Sequence, residues 1–125
     1  MKLVDTSSWI DYLRNLATDA SLRVEKLVLA EEAGWCEMVV VELWNGARGN
    51  KEKLDLADLE SEVTLFPVDA LVWQKATKLA KLCRNSGLTI PSGDLIVAAC
   101  ASHYGLEIEH CDRHFDILLP HSKNL

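Results

Sequence analysis

The sequence predicts an α/β domain, specifically an α/β/α sandwich in which a central parallel sheet carries helices on both faces. Three observations lead there. Short apolar stretches alternate with longer amphipathic ones along the chain, and parallel neighbours need helical crossovers of that kind. The 125 residues include only 6 Gly and 3 Pro and are 49% hydrophobic, the composition of one domain spanning residues 1–125 with no linker, repeat or low-complexity tract. A chain of this length buries roughly two-thirds of the surface its unfolded form exposes, so it needs neither disulfides nor a structural metal to hold together.

Lys2-Leu3-Val4 reads as the first strand. It runs into Asp5-Thr6-Ser7-Ser8, a cluster of N-cap residue types, which predicts a tight turn and a helix over Trp9-Ile10-Asp11-Tyr12-Leu13-Arg14. From Ala20 to Ala33, Leu22, Leu27, Val28, Leu29 and Ala30 mix with charges and Gly34 supplies a stop, so a second helix is expected. Trp35-Cys36-Glu37-Met38 reads as a short buried strand. Val39 to Gly49 reads as a helix ended by glycine, against the strand preference of its β-branched run. Lys51 to Glu62 sets Leu54, Leu56 and Leu59 among charges, an exposed amphipathic helix, and Val63-Thr64-Leu65-Phe66 is a strand closed by Pro67. Over Ala70 to Arg84, Val72, Ala76, Leu79, Ala80 and Cys83 line one helical face. After the turn Asn85-Ser86-Gly87, Pro91-Ser92-Gly93-Asp94 opens a helix from Leu95 to Tyr104 that is apolar or small nearly all round and therefore central; Gly105 ends it. Leu106 to Glu109 is a strand, His110 to Asp116 a polar loop, and Ile117-Leu118-Leu119 a last strand before Pro120 and a polar tail.

Thirteen Lys and Arg against 19 Asp and Glu give a net charge of −6, which argues against a plain electrostatic nucleic-acid binder. A polyanionic substrate stays open where acids converge on a bound cation. Cys36, Cys83, Cys100 and Cys111 form no C-x-x-C pair and read as small core hydrophobes. No apolar run approaches the ~20 residues of a membrane span, and Met1 to Asp5 lack the zones of a signal peptide; a cytoplasmic protein is expected.

In an open parallel sheet, ligands bind outside the carboxyl ends of the strands. Those ends carry Asp5 after the first strand, Glu42 soon after the second, Asp94 in the first turn of the central helix and Asp112 just after the Leu106 to Glu109 strand. Each has a plain alternative. Asp5 can serve as an N-cap, Asp94 can complement a helix dipole, and Asp112 can be a solvated loop acid. Glu42 is harder to explain away, because it interrupts the apolar run Met38 to Trp44, where an unpaired carboxylate is costly. Converging like charges call for a hard divalent cation, and all-oxygen ligands select Mg²⁺ or Mn²⁺. Metal-activated water attacking a phosphodiester fits such a site.

Four segments then resemble one family. Val4-Asp5-Thr6-Ser7-Ser8-Trp9-Ile10, Val41-Glu42-Leu43-Trp44-Asn45-Gly46-Ala47, Ile90-Pro91-Ser92-Gly93-Asp94-Leu95-Ile96-Val97-Ala98-Ala99 and Asp112-Arg113-His114-Phe115 look like the PIN domain, and especially its VapC toxins, in the same order. The resemblance implies a Mg²⁺-dependent endoribonuclease acting on single strands, usually a homodimer, held inactive by a cognate VapB-like antitoxin. Asp5, Glu42 and Asp94 match the family's three main acids and Asp112 its fourth, as catalytic metal ligands. Thr6 matches the small hydroxyl residue beside the first acid. Two departures stand out: His110 replaces a Thr common two residues before the fourth acid, and His114 replaces an acid common two residues after it. Asp116 is a substitute at a different spacing.

Cys100 and His103, followed by His110, Cys111 and His114, match no standard zinc spacing. Lys75, Lys78, Lys81 and Arg84 form a stripe that reads as a solvated helix face or an RNA-backbone track. Among Arg14, Arg48 and Arg113, which lie near the acidic motifs, Arg48 and Arg113 are candidate phosphate contacts, Arg48 because it falls six positions beyond Glu42 on the same expected helix. Trp9, Trp44 and Trp73 are core anchors or groove walls. Leu54, Leu56 and Leu59 exceed one buried stripe, and a partner helix, self-association or ordinary packing accounts for the surplus. A phosphoacceptor receiver is disfavoured, since Asp5 stands alone, Asp55 falls in a helical segment and no Lys occurs between Lys81 and Lys123. A PIN nuclease of RNA processing without antitoxin, and an inactive PIN-like binding module, remain as alternatives.

Overall fold

The computed structural model describes residues 1–123 and 125. Along the chain it forms β1 (Lys2–Val4), α1 (Thr6–Leu13), α2 (Asp19–Leu29), β2 (Ala33–Trp35), α3 (Glu37–Asn45), α4 (Gly49–Glu62), β3 (Thr64–Leu65), α5 (Ala70–Asn85), α6 (Ser92–Tyr104), β4 (Glu107–Glu109) and α7 (Arg113–Ser122). The four strands form one sheet in the order β3-β2-β1-β4, with every pairing parallel and Leu3 facing Gly34 on one side and Ile108 on the other. The helices flank it, as the alternating pattern predicts. Because the chain steps from β1 to β2 to β3 in one direction and then places β4 on the far side of β1, the strand order reverses between β1 and β4.

Local chemistry explains the helix starts. Asp5, Thr18, Asp69 and Asp112 each cap a helix by accepting a backbone N–H, worth about 1 kcal/mol apiece. On α5 the buried face is Val72, Ala76, Leu79 and Cys83, four of the five expected residues, with Ala80 half-buried beside them. Every residue of α6 from Leu95 to Ala101 is buried, which is why that helix has no polar face in sequence. Trp9 is fully buried and its ring centroid lies 5.3 Å from that of Trp35, while Trp44 and Trp73 are exposed. Of the α4 leucines, Leu56 and Leu59 enter the core and Leu54 stays in solvent.

Several expectations need correction. The second strand is Ala33–Trp35 rather than Trp35 to Met38, and Gly34 lies inside it rather than stopping α2. The helix ends at Leu29, and Glu31, at φ 57, makes the reversal usually left to glycine. Gly34 is required for a different reason, since a Cβ there would sit 2.4 Å from the Phe66 ring. Helix α3 ends at Asn45, so Arg48 is not on the helix of Glu42; it stands at the N-cap position of α4. Ile117-Leu118-Leu119 is helical, not a strand: Phe115, Leu118 and Ser122 turn inward at helical spacing and Pro120 lies within α7. The polar tail therefore shrinks to the residues after Ser122, of which Asn124 lies outside the described residues. Cys36, Cys83 and Cys100 are buried thiols, but Cys111 is exposed. Among the described residues, no helix is long and apolar enough to cross a membrane.

Candidate metal centre

The strand order reverses between β1 and β4, and in an open parallel sheet the carboxyl ends at such a reversal are where ligands bind. Asp5 leaves β1 there, and its N–H donates to the Glu109 carbonyl at 2.9 Å, tying the two strand ends together. Its side chain is buried. Oδ2 accepts from the Ser7 N–H at 3.3 Å and the Ser7 hydroxyl at 2.8 Å, so Asp5 caps α1.

Glu42 enters from α3, half-buried, and its Oε1 accepts from the Thr6 hydroxyl at 2.8 Å. Its Oε2 lies against the start of α6, where a Cβ on Gly93 would come within 3.1 Å of it and within 3.1 Å of Met38 Cε. The absent side chain of Gly93 is what lets the first turn of α6, and Asp94 with it, approach Glu42. Asp112, at the N-cap of α7, accepts the His114 N–H at 2.9 Å. His114 folds back so that Nδ1 stands 3.2 Å from Asp94 Oδ2 and 3.3 Å from Asp112 Oδ1.

Electrostatics carry the mark of this gathering. Burial pushes the Asp5 carboxyl up, against the lowering effect of the Ser7 and Thr6 hydrogen bonds, with Asp112 adding to the rise. Burial raises Glu42 too, opposed by the Thr6 hydroxyl and reinforced by Asp5. Asp94 is pushed up to about 6, first by burial and then by the charges of Asp5 and Asp112, with His114 pulling the other way and Glu42 adding a smaller push. Four acids from distant parts of the chain thus feel one another at one place, at a cost in free energy that a cation removes.

The donors suit a small divalent ion: carboxylate oxygens and one imidazole nitrogen, the buried Nδ1 of His114, which makes no well-formed hydrogen bond. Among the described residues, one trio, Asp94, Asp112 and His114, brings a ligand atom from each within 4.8 Å of the others; Asp5 and Glu42 stand outside that trio. The remaining candidates disperse. Thr6 positions Glu42. Asp116 is 75% exposed and lies 3.8 Å from His110 Nε2 rather than beside the carboxylates. Arg48 is exposed and its N–H donates to Glu52, Arg14 pairs with Glu52 at 3.1 Å, and Arg113 is exposed in the first turn of α7. The zinc constellation does not assemble, because His103 faces Asp69, His110 faces Asp116 and His114 faces the two acids. Sequence reasoning missed His114 and Gly93 as parts of the site. The signals were present: an imidazole two residues after Asp112, and a glycine immediately before Asp94.

Fold and site together define an all-parallel α/β domain built around a carboxylate cluster. The family model of the PIN domain matches residues 2–118, and the chain belongs to that family. It is 32% identical over 123 residues to the VapC ribonuclease Mb1587 of Mycobacterium bovis and to ribonuclease VapC11 of Mycobacterium tuberculosis, over 94% of this chain and 91% of theirs. Among solved structures, VapBC2 from Rickettsia felis, bound to a DNA fragment from its promoter, superposes with a TM-score of 0.78 at 17% identity, covering 96% of this chain and 93% of that one. VapBC-5 of Mycobacterium tuberculosis does so with a TM-score of 0.71 at 21% identity, covering 94% and 89%.

Proposed function

We propose that the protein is a divalent-metal-dependent endoribonuclease, the toxin of a VapBC-type pair, working in the cytoplasm as a homodimer of single PIN domains spanning residues 1–125. The observation that carries this reading is the Asp94 carboxylate, which shares a ligand-atom cluster within 4.8 Å with Asp112 and His114 and is pushed up to about 6 by burial and then by the charges of Asp5, Asp112 and Glu42. A fold keeps such a cluster when a cation occupies it. The ribonuclease names of the VapC relatives and their coverage of nearly the whole chain support the same activity.

In this reading Asp5, Glu42, Asp94 and Asp112 hold Mg²⁺ or Mn²⁺, directly or through water. When bound, the ion supplies an acidified water and neutralises charge developing on the phosphate. The chain's own residues do the rest. Thr6 fixes Glu42 by a hydrogen bond to a charged acceptor, the stronger kind. Asp5 is held by Ser7 through one carboxylate oxygen. Arg113, at the rim on α7, is the candidate for a phosphate of the RNA strand; Arg48, separated from the helix of Glu42, is a weaker one. A VapB-like antitoxin is the expected partner, and structural neighbours described as VapBC complexes support that assignment.

The test is cleavage of single-stranded RNA by purified protein with Mg²⁺ or Mn²⁺, with EDTA as control. Asp5→Asn and Asp94→Asn should each abolish cleavage while the circular-dichroism spectrum stays native. Equal cleavage by the wild type and both variants would refute the assignment. Cleavage by no form, with the wild type folded, would favour the inactive binding module. Cleavage with no neighbouring antitoxin frame would favour an RNA-processing enzyme.

A further inference from the structure

We propose that His114 is an inner ligand of the metal, giving the site one nitrogen among its oxygens and a preference for Mn²⁺ over Mg²⁺. The inference rests on the reading of the site as a metal centre and assigns that centre its ion. It starts from an asymmetry in the imidazole. The side chain is 38% exposed, yet Nδ1 is shut off from solvent, has no well-formed hydrogen bond, and points between two carboxylate oxygens. The exposed part of the ring faces out and Nδ1 faces in.

That orientation is built by the chain. Asp112 caps α7 by accepting the His114 N–H, which pins the His114 backbone beside the same carboxylate that its Nδ1 meets. One acid therefore both places the imidazole and shares its target. The separations of 3.2 Å and 3.3 Å are those of neighbouring ligands in a shell of about 2.2 Å radius. All three donors already lie within 4.8 Å of one another, so little movement is needed to enclose one ion.

The consequence is chemical. Mg²⁺ favours oxygen donors and keeps much of its water, whereas an imidazole nitrogen strengthens binding of first-row transition ions. A neutral ring in place of a third carboxylate also removes a charge that would have attracted Mg²⁺. The competing arrangement is an imidazolium that only balances Asp94 and Asp112 and leaves when an ion arrives.

The experiment uses the intact protein, stripped with EDTA and titrated calorimetrically with Mn²⁺ and with Mg²⁺, alongside electron spin-echo spectroscopy of the Mn²⁺-loaded form. The wild type should bind Mn²⁺ at least tenfold more tightly than Mg²⁺ and show nitrogen coupling to the bound ion. His114→Asp should lose that coupling and narrow the preference about tenfold; His114→Phe should lose it and weaken Mn²⁺ binding. Mn²⁺ bound without nitrogen coupling, or an unchanged preference in His114→Asp, overturns the role of His114 while leaving the metal centre standing. A folded wild type that binds neither ion overturns the metal centre itself.

Discussion

At the scale of single residues, Asp94 carries the sharpest solution consequence. Its carboxyl titrates near 6 in the fold against 3.8 for the unperturbed group, so the native state holds a proton that the unfolded chain releases. Stability from this residue is complete below pH 3.8 and lost as pH rises through 6. Metal-free protein should therefore be less stable at pH 7 than at pH 5 by about 1 kcal/mol in urea unfolding, and Asp94→Asn should flatten most of that slope. Added Mn²⁺ should reverse the trend above pH 6, because ion and proton compete for the same oxygens. The acids themselves were legible in the sequence, since a carboxylate at the end of an apolar strand has few places to go. The imidazole was not. His114 looked like a departure from an acidic motif, and only the backbone turn at Asp112 reveals which way its ring faces.

At the scale of elements, the meeting of α3 and α6 decides the site. Gly93 has an ordinary helical backbone and is needed for the space it leaves beside Glu42 and Met38. Gly93→Ala should keep its melting temperature within a few degrees, because helix propensity gained offsets a tight contact with two flexible side-chain ends. RNA cleavage should fall about tenfold or more, since the Glu42 carboxylate must move by a few tenths of an ångström; unchanged cleavage would show that this approach is not limiting. Long periodic elements such as α5 were readable because burial repeats along them. The errors fell where two signals conflicted. Gly34 reads as a helix stop, but close packing against Phe66 demands it in a strand. Ile117-Leu118-Leu119 reads as a strand before a proline, but Phe115 and Leu118 bury together only on a helix. The β-branched run Val39-Val40-Val41 adopts a helix because tertiary burial of Val39 and Leu43 outweighs propensity.

For the whole molecule, the proposed polyanionic substrate meets a net charge of −6, and in the proposed function a bound ion reconciles the two. Stopped-flow fluorescence anisotropy of the wild type mixed with single-stranded RNA should show, before cleavage sets in, binding with Mn²⁺ present that EDTA removes. Binding that survives EDTA would point to the basic stripe of α5 instead. The topology has one more outcome. The site joins the first strand to the last: Asp5 leaves β1 hydrogen-bonded to the end of β4, and Asp112 and His114 follow shortly after β4. During synthesis, then, the N-terminal half of the centre emerges early and waits for nearly the entire chain to leave the ribosome before its other half exists. In the proposed function, a centre assembled in that order is absent from the nascent polypeptide, and the message that encodes it is spared until translation is all but finished.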